Sequence, residues 1–121
     1  MIAFTLPEAT PSLNTLLRLH WSAKVRLRSR WQWLVRAAVV NGSLKPERWP
    51  RAKVTIERFS PRRLDADNLA GGAKQLMDCL VREGFIEDDS PRHVECEYRQ
   101  SFGMEPKTLV QIEPVHTETI A

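Results

Sequence analysis

Residues 52–84 read AKVTIERFSPRRLDADNLAGGAKQLMDCLVREG, and their reading decides the fold. Over positions 52–59, Val54 and Ile56 share one face while Thr55, Glu57 and Phe59 share the other. That period of two, rich in β-branched residues, predicts a strand. Ser60 to Leu64 is a basic loop holding Arg62 and Arg63. The period then changes. Ala73, Leu76, Met77, Leu80 and Val81 recur at helical spacing, which predicts a helix from about Asn68 to Glu83, stopped at Gly84. Lys74, Asp78 and Arg82 stand four apart on another face, a spacing that favours mutual ion pairs.

The flanking segments extend this unit. Ile2, Phe4 and Leu6 alternate with Ala3 and Thr5, a short first strand. A loop with Pro11, Ser12 and Asn14 follows. From about Trp21 to Val40, Leu27, Trp31, Leu34, Val35 and Ala38 predict a helix, and Asn41-Gly42 stops it. Trp31 falls on the apolar stripe; Trp21, Trp33 and Trp49 suggest core or dimer packing, with an aromatic wedge against unstacked bases as the alternative. After a turn at 85–91, Val94, Cys96 and Tyr98 alternate with Glu95, Glu97 and Arg99, a half-buried strand. Gly103 to Pro106 turns the chain into a last strand, Thr108 to Glu113, expected to form an antiparallel hairpin with its predecessor. All eight prolines fall at these seams. The expected order is β-α-β-α-β-β. This is an α+β (α/β) fold, one small domain over residues 1–121, with a mixed sheet and two helices on one face. Residues from about 115 to 121, including His116, are expected to be a flexible tail.

Composition sets the outer limits. At 121 residues, 42% hydrophobic and 27% charged, the chain suits one globular core, and its composition argues against disorder. No apolar run approaches the ~18–20 residues of a membrane span. The N-terminus lacks the basic and apolar regions of a signal peptide. Cys79 and Cys96 read as two buried free thiols, which fits a reducing cytoplasm. The net charge of +3 hides an asymmetry. Residues 1–63 hold thirteen Lys and Arg against Glu8, Glu47 and Glu57. Residues 64–121 hold five basic residues against twelve acidic ones. The first half suits a polyanion, and the second concentrates carboxylates.

Within the second half, Leu64-Asp65-Ala66-Asp67-Asn68 carries the chemical signal, together with Lys74, Asp78 and Glu87-Asp88-Asp89-Ser90. Asp67 suits a helix N-cap, which accounts for one aspartate and not two. Two close carboxylates repel by roughly 1 kcal/mol in water and more at lower dielectric. A divalent cation offsets this, and D-x-D oxygens suit Mg²⁺ shared with a substrate phosphate. Asp88-Asp89-Ser90-Pro91 also suits a solvated turn. Asp89 joins the first pair only if the 85–91 turn folds back. In the basic half, Arg18, His20, Lys24, Arg26, Arg28 and Arg30 lie within thirteen residues, beside Trp21, a cluster suited to phosphates.

The ordered set Asp65-x-Asp67-Asn68, Lys74, Asp78-x-Leu80, Gly84 and Asp88-Asp89 resembles the RusA family of Holliday junction resolvases. Pro11-Ser12-Leu13-Asn14, with Arg18 and His20, is similar to that family's N-terminal motif, and Arg62-Arg63 fits its basic approach to the site. The resemblance runs from Leu6 to about Glu113. It implies a homodimeric, Mg²⁺-dependent endodeoxyribonuclease that cuts four-way DNA junctions in recombination and repair, with Mn²⁺ as a possible substitute. The setting it implies is a bacterial cytoplasm, with the chain chromosomal or prophage-encoded, and no membrane partner. Asp65, Asp67 and Asp89 match the family's acidic catalytic and metal-binding residues, and Lys74 matches its lysine. Asn14, Arg18, His20, Lys24, Arg26, Arg28, Arg62 and Arg63 are the expected DNA contacts. One departure stands out: Leu69-Ala70-Gly71-Gly72-Ala73 inserts three extra residues between Asn68 and Lys74. Gly71-Gly72 would let backbone approach phosphate, or form a loosely wound first turn. The competing expectation is a non-catalytic DNA-binding module whose aspartates only cap and turn the chain.

Overall fold

The computed structural model describes residues 1–115. The expected tail therefore lies almost wholly outside the described residues. The chain forms β1 (Ile2–Leu6), α1 (Leu13–Arg18), α2 (Trp21–Asn41), β2 (Ala52–Ser60), α3 (Ala66–Gly72), α4 (Lys74–Arg82), β3 (Val94–Phe102) and β4 (Lys107–Pro114). One mixed four-stranded sheet has the order β1-β4-β2-β3. β4 is antiparallel to both β1 and β2, and β3 runs parallel to β2. The α+β class holds.

Three expectations need correction. β3 and β4 run in opposite directions but do not pair, because β2 lies between them. The Gly103–Pro106 connection crosses the carboxyl end of β2 instead of closing a hairpin. Gly103 N–H donates to the Ser60 carbonyl at 3.3 Å, and a Cβ at Gly103 would already touch Phe59 Cβ at 3.4 Å. The residues of β4 that face the core, Thr108, Val110 and Ile112, are fully buried. That apolar face favours a central position, whereas β3, with Glu95 and Arg99 exposed, tolerates the edge.

Four helices form where two were expected. The loop at 12–14 winds into α1, with Ser12 as its N-cap accepting from Thr15 N–H at 3.0 Å. The helix expected over 68–83 breaks at Ala73 into α3 and α4. Finally, only Cys79 is buried; Cys96 is exposed on the edge strand, and both thiols are free.

The core lies between the sheet and the inner faces of α2 and α4. Trp31, Leu34 and Val35 meet Leu76, Met77 and Leu80 over Phe4, Leu6, Val54, Ile56, Val110 and Ile112. Each such fully buried large side chain contributes roughly 1.5–3 kcal/mol. Of the other tryptophans, Trp49 packs against this core, whereas Trp21 and Trp33 are exposed on α2. The opposite sheet face is open. It carries a charged ladder in which Glu97 pairs with Lys53 at 3.4 Å and Arg99 at 3.0 Å.

Candidate functional site

β2, α3, α4 and β3 form a parallel strand–helix–strand unit, and Leu64-Asp65 leaves the carboxyl end of β2. In open α/β sheets this end of the strands is the usual place for ligands. Two side chains that the sequence reading missed hold the loop in place. Gln100 clamps Leu64 from β3: its Nε2 donates to the Leu64 carbonyl at 2.6 Å, and its Oε1 accepts from Leu64 N–H at 2.9 Å. Arg58, only 8% exposed, donates from Nε to the Thr10 carbonyl at 2.7 Å and from Nη1 to the Arg62 carbonyl at 2.8 Å. Burial pulls its pKa down, and the two carbonyls satisfy the guanidinium without a carboxylate. Its alternation with Val54 and Ile56 was the available signal, since it places Arg58 on the core face.

The N-cap of α3 is Asp65, not Asp67 as the sequence suggested. Asp65 Oδ1 accepts from Asn68 N–H at 2.9 Å and Oδ2 accepts from Asn68 Nδ2 at 3.0 Å. These bonds hold its carboxyl below the usual range, so it is anionic at neutral pH. Asn68 Oδ1 in turn accepts Asn14 N–H at 2.9 Å. The Pro11–Asn14 and Asp65–Asn68 motifs, over fifty residues apart in sequence, are thereby joined. Asp67 is exposed in the first turn of α3.

Gly71-Gly72 has a packing role that neither expectation included. A Cβ at Gly72 would lie 1.7 Å from the Pro11 carbonyl oxygen, and one at Gly71 would lie 2.8 Å from the Leu13 side chain. The glycines let α3 press against the segment that starts α1.

The 85–91 turn folds back as far as the start of α4, but among the described residues it does not complete a three-carboxylate group with Asp65 and Asp67. Asp89 pairs with Lys74, the first residue of α4, and Lys74 also pairs with Asp78 at 3.3 Å. The hydrogen bond from Lys74 holds the Asp89 carboxyl below the usual range, and the same bond raises the Lys74 ammonium. Lys74 and Asp89 line a cleft of about 470 Å³ with Leu13, Met77, Cys96 and Tyr98. Burial raises the pKa of the Tyr98 phenol. A second cleft brings Arg28 beside Asp78, Asp88 and Asp89.

The structure thus unites Asn14 with Asn68 and Asp65, and Lys74 with Asp89. Among the described residues, no three His, Cys, Asp or Glu side chains converge closely enough to hold one ion. Mg²⁺ commonly takes one or two carboxylates plus substrate phosphate and water. The donors suit such a hard cation, since Asp65 and Asp89 are kept ionised and Asp67 is open to solvent.

The basic cluster spreads over two flanks of α2. Arg28 faces the acidic cleft, while Arg30 pairs with Glu8 on the other side. Arg18 and Arg26 are exposed, and Lys24 is half-buried. His20 caps α2, its Nδ1 accepting from Ser22 N–H at 3.2 Å. Arg62 and Arg63 project from the pinned loop before Asp65 and are exposed.

The chain matches no protein-family model and no curated protein. Among the described residues, no helix is long and apolar enough to cross a membrane.

Proposed function

We propose that this chain is a RusA-like endodeoxyribonuclease that hydrolyses phosphodiesters in branched DNA, with the four-way junction as its substrate. The observation that carries this reading is the Asn14–Asn68–Asp65 hydrogen-bond chain. It joins the two separate motifs on which the resemblance rests, at the strand end where ligands usually bind. Asp65, Asp67 and Asp89 would share one or two Mg²⁺ ions, or Mn²⁺ in their place, each held by one or two carboxylates with substrate phosphate and water; the metal when bound supplies water activation and neutralisation of phosphate charge. Lys74 sets a cation beside Asp89 and would stabilise negative charge developing on the scissile phosphate. Asn14, Arg18, His20, Lys24, Arg26, Arg28, Arg62 and Arg63 would contact the DNA backbone. Cutting two strands of a junction needs two sites, so the working form would be a homodimer with two-fold symmetry. Its setting would be a bacterial cytoplasm, with a chromosomal or prophage gene.

A second reading has its own support. Asp65 serves as a helix cap and Asp89 as an ion-pair partner, duties that a non-catalytic DNA-binding module would also use. The two readings part on Asp65→Asn and Asp67→Asn. The nuclease reading expects both variants to bind labelled junction DNA as tightly as wild type and to cut none of it in Mg²⁺. A wild-type chain that binds the junction and never cuts it supports the module instead.

A further inference from the structure

Beyond the expected phosphate contacts, a small cleft stands at the carboxyl ends of β2 and β3. It measures about 220 Å³ and is lined by Ser60, Arg62, Arg63, Gln100, Ser101 and Phe102. Ser60 and Phe102 are register partners at the last rung of the parallel pair, so the Phe102 side chain shares its sheet face with Gln100 and Arg58. Phe102 is 75% exposed. A large aromatic so open to water has no folding role to explain it.

Arg62 and Arg63 line the same cleft. Among the described residues, neither guanidinium has a carboxylate partner, in contrast to Arg30, Arg36 and Arg99. Their loop is fixed at several points: Arg62 N–H donates to Ser60 Oγ at 3.2 Å, Arg58 holds the Arg62 carbonyl, and Gln100 clamps Leu64. The two cations are therefore presented from a pinned backbone beside an exposed aromatic face. An aromatic platform next to free arginines matches the two parts of a nucleotide. A base has a π-face to stack on the ring, and its phosphate is an anion for the fork of an arginine. The cleft is too small for a duplex and has room for one base.

We propose that the Arg62–Arg63–Phe102 cleft holds one unpaired nucleotide, its base stacked on Phe102 and its phosphate on the arginines. This rests on the DNA-binding reading of the chain and deepens it. The site would select DNA whose strands have separated beside the Asp65 turn, since a paired base cannot enter.

Fluorescence anisotropy with labelled ten-residue oligothymidylate and a fully paired duplex, in EDTA, tests this apart from any cleavage. Phe102→Ala should weaken oligothymidylate binding about 5–100-fold while leaving duplex affinity within about two-fold. Phe102→Trp should restore single-strand binding. Arg62→Ala with Arg63→Ala should weaken both ligands and flatten the salt dependence. Because Phe102 is exposed, its variants should keep the wild-type circular dichroism and unfolding midpoint. Equal binding of oligothymidylate by wild type and Phe102→Ala overturns the stacking site alone. Failure of the wild type to bind any DNA overturns the underlying reading as well.

Discussion

Asp65 holds two duties that a single substitution can separate. As the N-cap of α3 it needs an acceptor at the side-chain oxygen, which Asn also supplies. As a cation ligand it needs the charge, which Asn lacks. Asp65→Asn should therefore retain most of the stability and lose junction cutting, whereas Asp65→Ala should lower the unfolding midpoint too. Urea denaturation beside a cleavage assay checks both. A midpoint for Asn as low as that for Ala would show that the cap depends on charge. The Lys74–Asp89 pair gives a pH prediction. The Asp89 pKa is depressed, so its contribution is full above the ordinary carboxylate range and lost as pH falls through its lower folded value. The Lys74 pKa is raised, so its contribution is full below the ordinary ammonium range and lost as pH rises through its higher folded value. The pair thus stabilises between about pH 5 and about pH 9. Because Lys74 is largely exposed, solvent screening limits the effect to at most about 1 kcal/mol. Lys74→Met should be slightly less stable than wild type at pH 7, and that difference should vanish in strong acid, as thermal melts across pH would record.

At the scale of elements, the sequence revealed strand and helix positions far better than their partners. The 52–60 strand, the 21–41 helix and the 2–6 strand lie within a residue or two of expectation, because each carries a local period. The break at Ala73 was not legible. It accompanies the contact of Gly72 with the Pro11 carbonyl, which no local pattern reveals. The same holds for the missing hairpin, since a short Gly103–Pro106 loop reads alike whether it closes a hairpin or crosses the end of β2. Gly72→Ala is the sharpest test of the α3 contact. Its Cβ would collide with backbone, so the variant should lose about 1–3 kcal/mol or more in urea unfolding. Gly71→Ala meets the Leu13 side chain, its Cβ included at 2.9 Å, rather than a carbonyl at 1.7 Å, and should lose less than Gly72→Ala. Equal losses would mean that α3 moves freely against the start of α1.

For the whole molecule, the charge asymmetry along the sequence does not become two opposed faces. The fold interleaves the halves. Arg28 reaches the Asp78–Asp88–Asp89 cleft, Arg30 is neutralised by Glu8, and Arg36 pairs with Glu83 at 3.2 Å. The open basic groups nearest Asp65 in sequence are Arg62 and Arg63 on their pinned loop. The motif residues were legible as a list, and two of their pairings, Asn14 with Asn68 and Lys74 with Asp89, are tertiary facts. The supports Arg58 and Gln100 were not legible as such, because their partners are backbone carbonyls and amides set by the fold. DNA affinity should fall with added salt, by about 0.7–0.9 in log–log slope for each phosphate neutralised, and filter binding at several salt concentrations would give that number. A flat profile would remove the polyanion role of the basic half.

The central claim concerns chemistry at Asp65 and Asp67. A labelled synthetic four-way junction incubated with Mg²⁺, wild type beside Asp67→Asn, tests it most directly. Paired symmetric nicks by the wild type, with none by Asp67→Asn at undiminished junction binding, are the predicted result. Nicks made by Asp67→Asn at the wild-type rate would contradict it.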